Sequence, residues 1–184
     1  MVKIDTAKVK RGIVLKIDGK LFRVTDTSHT HMGRGGATDT FKVKDIVSGK
    51  TNVFTYNAGT TLEQAEVQTN AAIFLYEAGG MYSFMENDTG EMFELDEEKI
   101  DDVVGFLKEN LDVYLMIYEG EVLGVILPTT IEYTITSTVP GVKGNRAQSG
   151  TKPATIETGM EIQVPLHKSE GDTVTVNTLT GDAS

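Results

Sequence analysis

Apolar and polar residues alternate along most of this chain, and turn-forming pairs interrupt the alternation at short intervals. A period of two belongs to half-buried strands, so the pattern predicts an almost all-β protein. Residues 12–17 (GIVLKI) and 20–24 (LFRV after Lys20) flank Asp18-Gly19, a pair that is among the strongest short hairpin signals. Residues 41–46 and 51–56 repeat the arrangement around Ser48-Gly49. Between these hairpins, residues 23–27 (RVTDT) lead into 29–37 (HTHMGRGGA), and 38–44 (TDTFKVK) lead out. β-Branched residues recur on both sides, as half-buried strands require. Gly33, Gly35 and Gly36 can take the positive φ of a tight reversal, so a hairpin with Arg34 at its tip is expected. Short strands packed into about 60 residues suit a small SH3-like barrel, and the polar break at 57–61 (NAGTT) marks where that unit ends.

A second unit begins at Ala65, with strand patterns at 72–76, 81–85, 113–118 and 121–127. Within it, Ile100, Val103, Val104 and Leu107 follow Asp96 at the spacing of one helical face. Asp96, Glu97 and Glu98 would then occupy the first turn, where the helix dipole favours anions. Pro128 and a change to threonine-rich strands at 129–135 open a third unit, with further strands near 154–156, 161–164 and 173–176. The polar stretch 141–152 separates its first strands as a long loop. Three consecutive small β-barrels are expected, over 1–64, 65–127 and 128–184.

Charge changes this picture more than composition does. The chain of 184 residues carries a net charge of −10, which on its face argues against a nucleic-acid partner. Residues 1–64, however, hold 11 Lys+Arg against 6 Asp+Glu, whereas residues 65–127 hold 2 against 15. Residues 128–184 hold 4 against 6. The basic surplus therefore sits in the third that carries the hairpin, where a polyanion can be met locally. With no cysteine there are no disulfides or thiolate-bound metals. No apolar run is long enough to span a bilayer, and the expectation is a soluble cytoplasmic protein without a membrane partner.

Arg34 offers five donors in a planar fork and stays charged at any working pH, which suits phosphate or ribose contact better than acid–base catalysis. His29 and His31 are two apart and share a strand face. With His167 the one remaining histidine, a surface role or stacking on a nucleobase fits them better than a metal, and no metal site is expected. Asp26, Ser28 and His29 do not form a triad, because adjacent strand residues point to opposite faces. Residues 33–36 (GRGG) are no P-loop, since neither a helix nor a Gly-Lys-Ser/Thr ending follows. Glu94, Asp96, Glu97 and Glu98 read as a solvated run. No nucleophile and base stand at workable spacing, so no catalytic residues are expected and the chain reads as a binding protein.

The most specific segment lies elsewhere. Residues 152–165 (KPATIETGMEIQVP), closed by Gly171, resemble the C-terminal signature of bacterial elongation factor P. Residues 140–144 (PGVKG) and 127–130 (LPTT) fit the same family, and the resemblance extends over essentially the whole chain. It implies an SH3-like (KOW) barrel followed by two OB-type barrels, in an elongated, tRNA-like L shape. The implied function is non-enzymatic: binding the 70S ribosome between the P and E sites and assisting peptide-bond formation at consecutive prolines. The hairpin tip would meet the CCA end of the P-site peptidyl-tRNA through Arg34, Gly33, Gly35, Gly36, Met32 and His31. Lys42 and Lys44 would contact tRNA backbone. The resemblance implies no cofactor, although some members carry a rhamnosyl group on a tip arginine, which would make an arginine-modifying glycosyltransferase a partner of a monomeric factor.

The chain also departs from the family. Gly144-Asn145-Arg146 stands where many members have Gly-Asp-Thr, in the loop implied to meet the E-site mRNA codon. Met32-Gly33 replaces a common Pro-Gly, Lys168 replaces an aliphatic residue, and the usual Tyr and basic tail after Thr-Gly-Glu are missing at 180–184. Two alternatives stay open: the elongation-factor-P-like paralogue group with another ribosomal role, and a general OB-fold RNA-binding protein. Scarce basic residues beyond the first third weigh against the latter.

Overall fold

The computed structural model of the protein describes residues 2–33, 35–140 and 150–184, with backbone alone at Met32. Strands dominate, and no α-helix occurs among the described residues. The first six strands are β1 (Val2–Asp5), β2 (Val14–Ile17), β3 (Lys20–Met32), β4 (Gly36–Asp45), β5 (Thr51–Asn57) and β6 (Thr61–Gln64). They make one antiparallel sheet in the order β1-β6-β2-β3-β4-β5. β1 and β6 have four residues each, too few for a period of two to stand out in the sequence. The polar break at 57–61 is a turn that returns the chain into this same sheet as β6, with Thr60 N donating to Asn57 O at 3.1 Å. Asp18 and Gly19 have φ of 50° and 78°, the paired positive values of a two-residue hairpin turn.

Contacts divide the chain into two compact units, Met1–Asn70 with Leu115–Gly124, and Ala71–Tyr114 with Val125–Ser184. The first unit has two cores. One gathers Val9, Leu15, Phe22, Val24, Phe41 and Val43, with Phe54 edge-on to Phe22 at 5.1 Å. The other gathers Val14, Ile46, Ala65, Met116 and Leu123. Val14 and Leu15 are adjacent yet both buried because the sheet is covered on both faces.

The register between β3 and β4 shifts between Val24 and Asp26, which leaves Thr25 as an extra residue in β3. Its hydroxyl donates to Lys42 O at 3.0 Å, replacing a ladder bond lost at the bulge. Before the shift, Val24 pairs with Val43 on the core face. After it, Thr27, His29 and His31 pair with Phe41, Asp39 and Ala37. The bulge thus turns the odd-numbered residues of the hairpin arm toward the face of Phe41 and Asp39.

A five-stranded sheet follows, built from β7 (Gln68–Ala78), β8 (Met81–Glu86), β9 (Met92–Asp96), β10 (Asp112–Tyr118) and β11 (Glu121–Ile126), in the order β11-β10-β7-β8-β9. The helix expected after Asp96 is replaced by two 3-10 turns, Glu97–Lys99 and Val104–Phe106. The apolar spacing had a different cause. Three-residue bonds run from Ile100 N to Glu97 O, Val103 N to Ile100 O and Phe106 N to Val103 O. Side chains three apart eclipse in such turns, so Ile100 and Val103 are still buried together. Two β-branched valines and Gly105 further weaken an α-helix here. Asp96 also makes no side-chain cap.

The last sheet comprises β12 (Thr130–Thr138), β13 (Thr151–Ile156), β14 (Glu161–Pro165) and β15 (Thr173–Asn177), in the order β14-β13-β12-β15. Ile131, Tyr133 and Ile135 point into a core with Ile156, Ile162, Val164, Val174 and Val176, while Glu132 and Thr134 between them face out. Phe106 and Leu111 pack against the same core. Tyr133 Oη donates to Phe106 O at 2.5 Å, and Thr158 Oγ1 donates to Gly105 O at 2.7 Å. Lys108 Nζ donates to Glu132 O at 2.6 Å and sits 5.2 Å from the Tyr133 ring centre. The Lys152 of the C-terminal signature is buried and donates to Val139 O at 2.8 Å, so its role within this fold is a structural one.

Candidate nucleic-acid interface

The hairpin of β3 and β4 is the longest paired element of the first sheet, and its register runs to Met32↔Gly36. Three residues, 33–35, connect the strands, and Gly36 follows with φ of 83°. A three-residue connection closed by a left-handed glycine is a common hairpin solution. A Cβ at Gly33 or Gly36 would meet nothing within 4 Å, so the glycines there leave the end slender and exposed. Gly33 and Gly35 are exposed as expected. Arg34 lies outside the described residues, as do Gly144, Asn145 and Arg146.

Behind the tip the structure brings His29, His31 and Asp39 together. The two histidine rings meet edge to face, with centres 4.9 Å apart and planes at 83°, consistent with their shared strand face. His29 Nδ1 lies 2.5 Å from Asp39 Oδ1. An ionised carboxylate can only accept, so this nitrogen carries the proton. The His29 side chain is 47% exposed and that of Asp39 is 6% exposed, so the bond joins a surface ring to a buried anion. The hydrogen bond from His29, and next the Thr6 hydroxyl, hold the Asp39 carboxyl below its ordinary value against the opposing effect of burial. The second oxygen, Oδ2, is buried without a hydrogen-bond partner among the described residues. Thr6 is itself fixed, accepting from Gly59 N at 3.0 Å. Tyr56 stands opposite Asp39 on β5, and its burial pushes the phenol pKa up.

The other face of the hairpin carries Ser28, Thr30, Thr38 and Thr40, with Thr40 and Thr55 hydroxyls 3.0 Å apart. Lys42 is exposed on this face. Lys44 is buried at 7% exposure and already engaged within the protein, so Lys42 is the one of the two lysines that solvent or a polyanion can reach. Arg23 is likewise buried, its guanidinium lying where a Cβ on Gly124 would come within 3.6 Å. Among the described residues no group of three or more His, Asp or Glu is arranged to hold a metal. No helix among them is long and apolar enough to cross a membrane.

Asp39 is the residue that sequence reasoning missed. A lone aspartate between threonines in a strand looks like an ordinary exposed position, and it gains meaning only from its register partner.

Family models match nearly the whole chain in three consecutive pieces. The elongation factor P KOW-like domain matches residues 5–62, the elongation factor P OB domain residues 67–125, and the elongation factor P C-terminal domain residues 131–182. These agree with the all-β architecture of a KOW or SH3-like barrel followed by OB-type domains. Among solved structures, a eukaryotic translation initiation factor 5A from Methanococcus jannaschii is 21% identical, with a TM-score of 0.45, covering 67% of this chain and 88% of its own. A translation initiation factor eif-5a family protein from Naegleria fowleri ATCC 30863 is 18% identical, with a TM-score of 0.41, covering 68% and 95%.

Proposed function

The chain belongs to the elongation factor P family, and from that premise we propose that it acts on the 70S ribosome between the P and E sites, promoting peptide-bond formation at consecutive prolines. It is a translation factor. The finer reading takes three barrels, 1–64, 65–127 and 128–184, the first lying along the acceptor arm of the P-site peptidyl-tRNA with the hairpin tip at its CCA end. The observation that carries this reading is the β3–β4 hairpin, whose slender glycine-flanked end belongs to the segment with the basic surplus.

Proline is a poor nucleophile with a constrained ring, so its reaction is limited by geometry at the active site. A factor that orders the tRNA end removes part of that entropic barrier without supplying an acid or base. Arg34 brings a permanent charge and a planar set of donors to a site walled by phosphates. Gly33, Gly35 and Gly36 permit close approach, His31 and Met32 flank the tip, and exposed Lys42 contacts the tRNA backbone. Gly144, Asn145 and Arg146 form the segment that would face the E-site codon. The factor works as a cytoplasmic monomer, without a cofactor and without catalytic residues, and Arg34 is the position where a glycosyltransferase would add a rhamnosyl group.

The test is translation of a reporter with consecutive prolines, with wild-type protein and with Arg34→Ala. Stall relief is expected from the wild type and is lost in the variant, while proline-free reporters respond to neither. Undiminished relief by Arg34→Ala would remove the tip mechanism. Intact mass of protein purified from its own host reads the modification: an added deoxyhexose supports it, and the bare chain mass rules it out.

A further inference from the structure

His29 and Asp39 form a short polar contact behind the tip. Asp39 is buried, ionised and able only to accept, and it takes the proton of His29 Nδ1 at 2.5 Å. In the neutral ring this fixes the tautomer. Nδ1 is the donor and is used up inside the protein, which leaves Nε2 with a bare lone pair. That nitrogen has no hydrogen-bond partner among the described residues, and it belongs to a side chain that is half exposed. The edge-to-face contact with His31 braces the ring from the tip side. Thr6, anchored by Gly59 N, supports the carboxylate from behind.

An outward acceptor cannot bind a phosphate oxygen, which is itself an acceptor. It matches a hydroxyl donor, and the ribose 2′-hydroxyl is the donor that distinguishes RNA from DNA. We infer that Asp39 is a positioning residue that fixes His29 with Nε2 outward, where it accepts a hydrogen bond from a ribose 2′-hydroxyl of the RNA end at the hairpin. This rests on the proposal that the hairpin meets the CCA end of tRNA. Arg34 then supplies charge, and His29 supplies selectivity for ribose.

The experiment uses the full-length chain at pH 8, with an RNA hairpin ending in CCA and the same hairpin bearing 2′-deoxy sugars at its last three nucleotides. Binding is followed by NMR titration, and long-range proton–nitrogen spectra of the histidine rings read the tautomer. The wild type is expected to show His29 in the Nδ1–H form and to bind the deoxy probe about fivefold more weakly, the worth of one hydrogen bond. His29→Phe keeps the ring but has no acceptor, so it should bind both probes alike. Asp39→Leu should release the tautomer and lose the discrimination as well. Asp39→Asn retains a carbonyl that can accept from Nδ1 and should restore both properties. His29→Phe, at a half-exposed position, keeps the question open to decision if Asp39→Leu does not fold. Equal wild-type affinity for the two probes, or discrimination that survives His29→Phe, overturns the inference alone. A wild type that binds neither probe overturns the proposed tRNA contact together with it.

Discussion

Tyr133→Phe tests how the second unit is held together. Tyr133 is 1% exposed and its hydroxyl donates to Phe106 O at 2.5 Å, joining β12 to the second 3-10 turn. Phenylalanine keeps the ring, and with it the core packing and the contact with the Lys108 ammonium. What goes is one hydrogen bond, about 1 kcal/mol net, and a buried carbonyl loses its partner at about 1–3 kcal/mol. Part of that second cost is recovered where water reaches half-buried Phe106. The expected loss is therefore about 1.5–2.5 kcal/mol, read from urea unfolding midpoints at pH 7 with an unchanged m value. The same hydroxyl makes a second, independent prediction. Burial first, and Glu157 second, raise the Tyr133 phenol well above its ordinary value of 10.0. A raised phenol pKa means that the folded state holds the proton more tightly than the unfolded chain. The stabilisation is complete below pH 10 and is lost as pH rises from there toward the folded pKa. Wild type should lose stability by about 1.4 kcal/mol more per pH unit than Tyr133→Phe above pH 10. Tyr56, Tyr82 and Tyr118 are also raised but are common to both proteins, so they cancel in the difference. A cost below about 0.5 kcal/mol would refute the buried hydrogen bond, and parallel slopes in alkali would refute the raised phenol pKa.

Two further outcomes follow from the hairpin. Asp39 has a lowered pKa, so its contribution is present above pH 3.8 and disappears as pH falls through the folded value. Wild type and Asp39→Asn should accordingly converge in stability on acidification, and a gap that persists in acid would mean that the carboxylate is not the source. Deleting Thr25 removes the unpaired residue while Val24 and Asp26 keep Val43 and Lys42 as partners, so His29 stays opposite Asp39. The His29 ring proton bonded to Asp39 should persist in NMR spectra of that variant, and its disappearance would show that Thr25 is not simply the extra residue of the ladder.

Much of the architecture was legible because short-range chemistry dictates it. Asp18-Gly19 specifies a turn whatever lies around it, and the alternation at 131–135 marks an inward face without knowledge of what it packs against. The segment after Asp96 was misread because its signal is ambiguous. Residues spaced at three satisfy a 3-10 turn as well as an α-helix, and Ile100 and Val103 are buried in either. Lys44 was misplaced for a similar reason. It shares the strand face of Lys42, opposite to Phe41 and Val43, as a surface residue would, but this sheet is covered on both faces, so its outer side is partly interior.

By itself the sequence determined the order of hairpins, the concentration of basic residues in the first third, the glycine-flanked Arg34 and the C-terminal signature that indicates the family. Each of these is a property of neighbouring residues or of simple counts. The tertiary structure decided which residues meet. One extra residue at Thr25 changes the side to which every later residue of β3 points, and no local preference of Thr25 announces it. Because side chains in a strand alternate with a period of two, that single register shift brings His29 to Asp39 and separates it from the face of Lys42. Pairing between strands is a long-range choice, set by the cores on both sides of the sheet, and the geometry behind the tip follows from it.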